Sequence, residues 1–155
     1  MALTYHGPFD HASKPNIRLQ IPPDPRYART VRDAIIGFAS LHGVNTDDLE
    51  SLLFAVGEAL ANAIEHARSA GDIEVVAEVD THTITARISD SGSGLTQVPP
   101  ARMPLPDAMS EGGRGIPIMQ RCADVFDIRS RPGGGTVVTL GRMLRNRSEE
   151  TSAAS

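Results

Sequence analysis

The segment 51–64, SLLFAVGEALANAI, limits what this chain can fold into more than any other stretch. Only Ser51, Glu58 and Asn62 are polar in it. A helix that is apolar nearly all round is expected to be buried. Glu58 and Asn62 are four residues apart, so they stand one turn above the other on one side, and His66 continues the row. Leu49, Leu52, Leu53, Val56, Leu60 and Ile64 form a bulky stripe opposite. Burying a carboxylate without partners is costly. The Glu–Asn pair is therefore a hydrated surface stripe, a pair satisfied by itself and the backbone, or the wall of a polar cavity. In a cavity the pair has a chemistry. Mg²⁺ takes hard oxygen ligands such as an Asn carbonyl and keeps waters and phosphates in its shell. Glu58, one turn away, is placed to accept a proton from a hydroxyl or water.

The rest of the chain supplies what such a helix packs against. Ile17, Leu19 and Ile21 alternate over residues 16–21, which predicts a strand. Pro22, Pro23 and Pro25 end it. Asp24 then caps a helix with Pro25 at its first position, running to about His42 and stopping at Gly43. The central helix starts near Thr46 or Asp47, with Glu50 as a capping-box or first-turn acid, and reaches about Ala67. Strands follow at 73–79 and 83–89 around a tight turn at 80–82. Residues 90–111 form a long loop rich in Gly, Pro and Ser, of a length usually tied to function or motion. A short helix at 115–123 and strands at 125–130 and 136–140 complete the pattern. Residues 1–15 read as a loose arm and 143–155 as a frayed polar tail, leaving one domain over 16–142. The order β-α-α-β-β-loop-α-β-β predicts an α+β, two-layer sandwich: a mostly antiparallel sheet with helices on one face. No βαβ unit carries a glycine fingerprint, so the pattern is not a Rossmann fold.

Bulk properties narrow the function classes. A length of 155 residues fits one domain. The net charge of −4 gives no bulk reason for nucleic-acid binding. Lys14 is the only lysine, which excludes a Walker A loop with its lysine beside glycines. Cys122 is the only cysteine and reads as a small core residue in a reducing compartment. No apolar run is long enough to span a bilayer and no signal-peptide layout is visible, so a cytoplasmic protein is expected. The histidines show no zinc-ligand spacing.

Three glycine segments accompany the Glu–Asn pair. Asp90-Ser91-Gly92-Ser93-Gly94 follows a strand directly. It reads as a plain turn, or as a site where Asp90 accepts from an adenine amino group while Gly92 and Gly94 let the backbone approach base and sugar. Glu111-Gly112-Gly113-Arg114-Gly115 precedes a short helix. It reads as a hinge, or as an anion site where exposed N–H groups, the helix dipole and Arg114 receive phosphates. Gly133-Gly134-Gly135-Thr136 opens the last strand, a glycine-rich hairpin with Thr136 near a pocket floor.

In order and spacing these segments resemble the GHKL, or Bergerat-fold, ATPases over roughly residues 16–142. Glu58-x-x-x-Asn62 with Ala63 and His66-Ala67 looks like their N box, Asp90-x-Gly92-x-Gly94 the G1 box, Gly113-x-Gly115 the G2 box, and Gly135-Thr136 the last box. The run 111–116, EGGRGI, and the chain length resemble the bacterial anti-sigma-factor serine/threonine kinases. The resemblance implies an ATP- and Mg²⁺-dependent protein kinase with Asn62 on Mg²⁺ and Glu58 as the base taking a serine proton. It further implies that Asp90, Gly92 and Gly94 read adenine, with His66 and Thr136 lining the pocket and Gly112, Gly113, Arg114 and Gly115 closing on the phosphates. Implied partners are a sigma factor, a small STAS-like anti-anti-sigma protein as phosphate acceptor, and a second copy of the chain. The first helix, with Arg26, Arg29 and Arg32 on one side, reads as a partner surface or a solvated face. One departure stands out: Glu111 occupies a place where some kinases of this group carry a basic residue, and Arg114 lies between glycines. The alternative function is therefore a regulatory binding module that uses ATP only to set its shape.

Overall fold

The computed structural model describes residues 1–6, 14–67, 71–105 and 114–145. Its six strands form one antiparallel sheet in the order β1-β2-β3-β4-β6-β5. The strands are β1 (Ala2–His6), β2 (Asn16–Ile21), β3 (Ile73–Val79), β4 (Thr83–Ser89), β5 (Val125–Ser130) and β6 (Thr136–Met143). Helices α1 (Ala28–Leu41), α2 (Thr46–Ala67) and α3 (Gly115–Cys122) cover one face. This is the expected two-layer α+β sandwich. No helix among the described residues is long and apolar enough to cross a membrane.

The core lies between the layers. From α1, Val31, Ile35, Phe38 and Ala39 are buried; from α2, Leu52, Val56, Leu60 and Ile64 among others. They meet Leu19, Ile21, Val75, Ile84, Ile88 and Leu140, the inward residues of alternating strands. Local chemistry sets the element ends. Asp24 accepts from the Arg26 N–H at 2.9 Å and caps a short 3₁₀ turn, Pro25–Tyr27, that leads into α1. Gly43, at φ +71°, ends the link out of α1. At the 80–82 turn the Asp80 carboxylate accepts from the His82 and Thr83 N–H groups, both at 2.8 Å.

The structure departs from the sequence reading in several places. Residues 1–15 were expected as a loose arm, yet Ala2–His6 pairs with β2, Tyr5 opposite Ile17. Leu3 and Tyr5 alternate toward the helical face, and the Tyr5 ring meets Phe38 edge-on at 6.4 Å between centroids. Second, α2 is not buried all round. Phe54 is 66% exposed, and Gly57 and Ala61 are exposed beside it. A nearly unbroken apolar run marks a buried helix, but small residues such as Gly57 and Ala61 carry little apolar area to hide. Third, α2 starts at Thr46 as expected, but the side chain that caps it is Asn45 rather than a capping box closed by Glu50: the Asn45 Oδ1 accepts from the Asp48 N–H at 2.8 Å. Asp48 is 1% exposed. Its Oδ2 accepts from Asn45 Nδ2 and the Arg145 N–H, and Arg142 and Arg145 approach Oδ1 at 3.7 and 3.8 Å. These bonds tie the start of α2 to the end of β6. The frayed tail expected over 143–155 begins with the last residue of β6, and 146–155 lie outside the described residues.

Candidate functional site

A cavity of about 350 Å³ opens between the second half of α2, the ends of β4 and β6, and the start of α3. Its floor is apolar, with Ala59, Ala63, Ile88, Ile128 and Val138. Its polar groups come from Asn62, His66, Asp90 and Thr136, joined by Ser93, Thr96 and Gln97 of the loop. Such a concave apolar site with a few convergent polar groups suits a small organic ligand.

Each polar group is placed by an element the sequence specifies. Asn62 is half-buried and His66 exposed, one turn apart on α2. Asp90 is 5% exposed, at the end of β4. Its N–H donates to the Thr136 carbonyl at 2.9 Å, extending the β4–β6 ladder by one step, and its Oδ1 accepts from the Gly92 N–H at 2.8 Å. The glycines are needed for close approach. A Cβ on Gly92 would stand 2.6 Å from the His66 carbonyl oxygen, so the loop lies against the end of α2. Gly94 turns at φ +81° and lines the cavity. A Cβ on Gly135 would overlap the Asp90 carbonyl, so the β5–β6 hairpin lies against the same loop.

At the other end, α3 begins directly over the Glu–Asn pair. A Cβ on Gly115 would stand 3.2 Å from Asn62 Nδ2 and 3.3 Å from Glu58 Oε2. Both side chains therefore face the N-terminus of α3. Glu58 is half-buried and, unlike Asn62, does not line the cavity. Arg114 is the N-cap residue of α3. Met119, fully buried, anchors that helix in the core. Gln120 of α3 also holds the loop: its Nε2 donates to the Pro100 carbonyl at 2.8 Å and its Oε1 accepts from the Met103 N–H at 2.7 Å.

Of the sequence-derived candidates, Asn62, His66, Asp90, Gly94 and Thr136 line one cavity, Gly92 shapes it, and Glu58 and Gly115 stand at one end. Gly112 and Gly113 lie outside the described residues. Ser93, Thr96 and Gln97 were not singled out in the sequence; small polar residues in a long loop give no periodic signal. In the 3₁₀ turn before α1, Arg26 pairs with Asp24 at 2.7 Å, and on α1 Arg29 pairs with Asp33 at 3.7 Å, all at the surface.

A sheet covered on one face by helices, with this concave cavity at the strand ends, is the arrangement of a small-ligand-binding domain. The chain belongs to the histidine kinase-like ATPase domain family, whose model matches residues 21–141. Its relatives place it in the anti-sigma-factor serine kinase branch. The chain is 30% identical over 135 residues to the serine-protein kinase RsbW of Bacillus velezensis, covering 79% of this chain and 83% of the relative. It is 32% identical over 127 residues to the anti-sigma F factor of Caldanaerobacter subterraneus subsp. tengcongensis, covering 78% and 87%. Among solved structures, the RsbU and RsbW domains of Rv1364c from Mycobacterium tuberculosis share the fold, with a TM-score of 0.62 and 21% identity. That match covers 87% of this chain and 34% of the other.

Proposed function

We propose that this protein is an anti-sigma factor and protein-serine kinase that uses Mg-ATP to phosphorylate a small anti-anti-sigma protein. The observation that carries the reading is the convergence of Glu58 and Asn62 beneath Gly115, at the end of the cavity opposite the buried Asp90. In this reading the Asp90 carboxylate accepts from the adenine amino group, and the apolar floor covers the base. The chain reaches the phosphates with Asn62, Gly115 and Arg114, together with Gly112 and Gly113. His66 and Thr136 also line the cavity.

Asn62 offers one hard amide oxygen, which fits Mg²⁺ that also takes phosphate oxygens. Bound there, Mg²⁺ supplies charge neutralisation at the phosphates. Glu58 takes the proton of the acceptor serine as its Oγ bonds to the γ-phosphorus. The bond between that phosphorus and the bridging oxygen breaks, and ADP leaves with the electron pair. A base is needed for this step, and simple nucleotide binding would not call for a carboxylate at this place. The partners in this reading are a sigma factor, held by sequestration, and a STAS-like acceptor protein. A second copy of the chain and a cytoplasmic location complete it.

A second reading, an ATP-dependent binding module with little transfer, is favoured by Glu111, which sets a negative charge beside the phosphate-side glycines. Purified protein with radiolabelled Mg-ATP and a candidate STAS-like acceptor protein separates the two. The kinase reading expects label on an acceptor serine. Nucleotide binding without label on that partner supports the module.

A further inference from the structure

We propose that Arg131 and Ser130, on the hairpin between β5 and β6, are positioning residues that hold the Asp90–Leu95 loop in its base-reading shape. The inference rests on Asp90 as the adenine acceptor, and concerns what keeps Asp90 in place.

The loop leaves β4 at Asp90 and carries two glycines within five residues. Glycine has the most backbone freedom to lose, so such a loop needs external fixing to hold a carboxylate at one angle. The fixing comes from a segment some forty residues away. Arg131 Nη1 donates to the Asp90 carbonyl at 3.1 Å. Ser130 Oγ accepts from the Leu95 N–H at 3.1 Å. The hairpin thus grips the loop at its first residue and just past its second glycine. Its own shape is set within the turn: the Arg131 N–H donates to the Gly135 carbonyl at 2.9 Å and the Gly134 N–H to the Arg131 carbonyl at 3.2 Å. Gly133, Gly134 and Gly135 all have positive φ, at 86, 107 and 94°. That conformation brings the turn back against the Asp90 carbonyl, leaving no room for a Cβ on Gly135.

The bond from Arg131 is charge-assisted and its acceptor is a main-chain oxygen. It therefore acts on the Asp90 backbone, whereas the carboxylate bonds internally to the Gly92 N–H. Ser130 and Arg131 are both exposed, so replacing them removes no core packing. What they contribute is the orientation of a neighbouring group.

The test is nucleotide binding by calorimetry on the full chain, with ATP, ADP and adenosine as probes. Arg131→Ala is expected to weaken all three by a similar factor, roughly three- to tenfold, the worth of one hydrogen bond made by an exposed side chain. Ser130→Ala gives a smaller loss of the same kind, and Arg131→Lys, which keeps one donor, recovers part of it. In turnover, the KM for ATP rises while kcat holds. Unchanged affinity in Arg131→Ala overturns the proposal. So does a loss seen with ATP but absent with adenosine, which would mean that the guanidinium attracts phosphates. Asp90→Asn is the companion variant. If it keeps full affinity, the adenine reading falls and the clamp with it. If it loses binding while Arg131→Ala does not, the clamp alone falls.

Discussion

At the Asp90 end of the cavity the chain is held by the sheet; at the Gly115 end it is held by one short helix resting on α2. The Asp90 end is fixed through the sheet ladder and close backbone approaches, with side-chain bonds from Ser130 and Arg131 added to them. Asp90 continues the β4–β6 ladder, Gly92 lies against the last turn of α2, and Gly135 against the Asp90 carbonyl. The Gly115 end depends on side chains: Met119 in the core, Gln120 on the loop, and the space above Glu58 and Asn62. The two ends suit different tasks. Recognising a base needs one fixed geometry. Transferring a phosphoryl group requires the site to admit a partner and release a product.

If that contrast is right, glycine substitutions at the two ends have different consequences. The largest effect is expected for Gly135→Ala. Its φ of 94° disfavours any side chain, and the new Cβ overlaps the Asp90 carbonyl. A loss of about 3 kcal/mol or more is expected in urea unfolding, with ATP binding lost alongside. Gly92→Ala comes next, because its Cβ would stand 2.6 Å from the rigid His66 carbonyl. Here overpacking costs about 1–3 kcal/mol and nucleotide affinity falls with it. Gly115→Ala sharpens the comparison. It sits at the first position of α3, where Ala is the better helix former, and its Cβ meets only the ends of the Asn62 and Glu58 side chains. Stability should stay within about 1 kcal/mol of wild type, while Mg-ATP affinity falls severalfold. A Gly115→Ala protein as unstable as Gly135→Ala would erase the distinction between the two ends.

The smallest effect lies away from both ends and is a pH effect. The Lys14 ammonium, 2.6 Å away, together with the His82 N–H, holds the Asp80 carboxyl well below the usual range. A carboxyl depressed in the folded state stabilises above its unfolded value, about 4, and that stabilisation drains away as pH falls toward the folded value. Lys14→Ala should therefore lower the thermal midpoint by no more than about 2 °C near neutrality. The difference should close as the solution is acidified below about pH 4.

How far this could be read from the sequence follows the range of each interaction. The Glu58–Asn62 row was legible because a helix repeats every turn, and two polar residues four apart in an apolar run stand out. The sheet and its helix-covered face were legible from alternation and turn residues. Strand β1 was not: its alternation of Leu3 and Tyr5 is short and runs into Gly7 and Pro8. Its partner, β2, is named only by tertiary pairing. The grip of Ser130 and Arg131 on the Asp90–Leu95 loop was invisible for the same reason, since its bonds span 35 and 41 residues. Nothing in the sequence marks Asp48, and only the return of β6 shows it buried between Arg142 and Arg145.

The central claim is that Glu58 serves chemistry while Asn62 and Asp90 serve binding, and one paired measurement tests it most directly. Mg-ATP affinity and label transfer to the acceptor protein are measured on wild type and on Glu58→Gln. The account predicts that Glu58→Gln binds Mg-ATP within about twofold of wild type, because amide and carboxylate have the same shape, yet transfers no label. Label transfer at the wild-type rate by Glu58→Gln would contradict it.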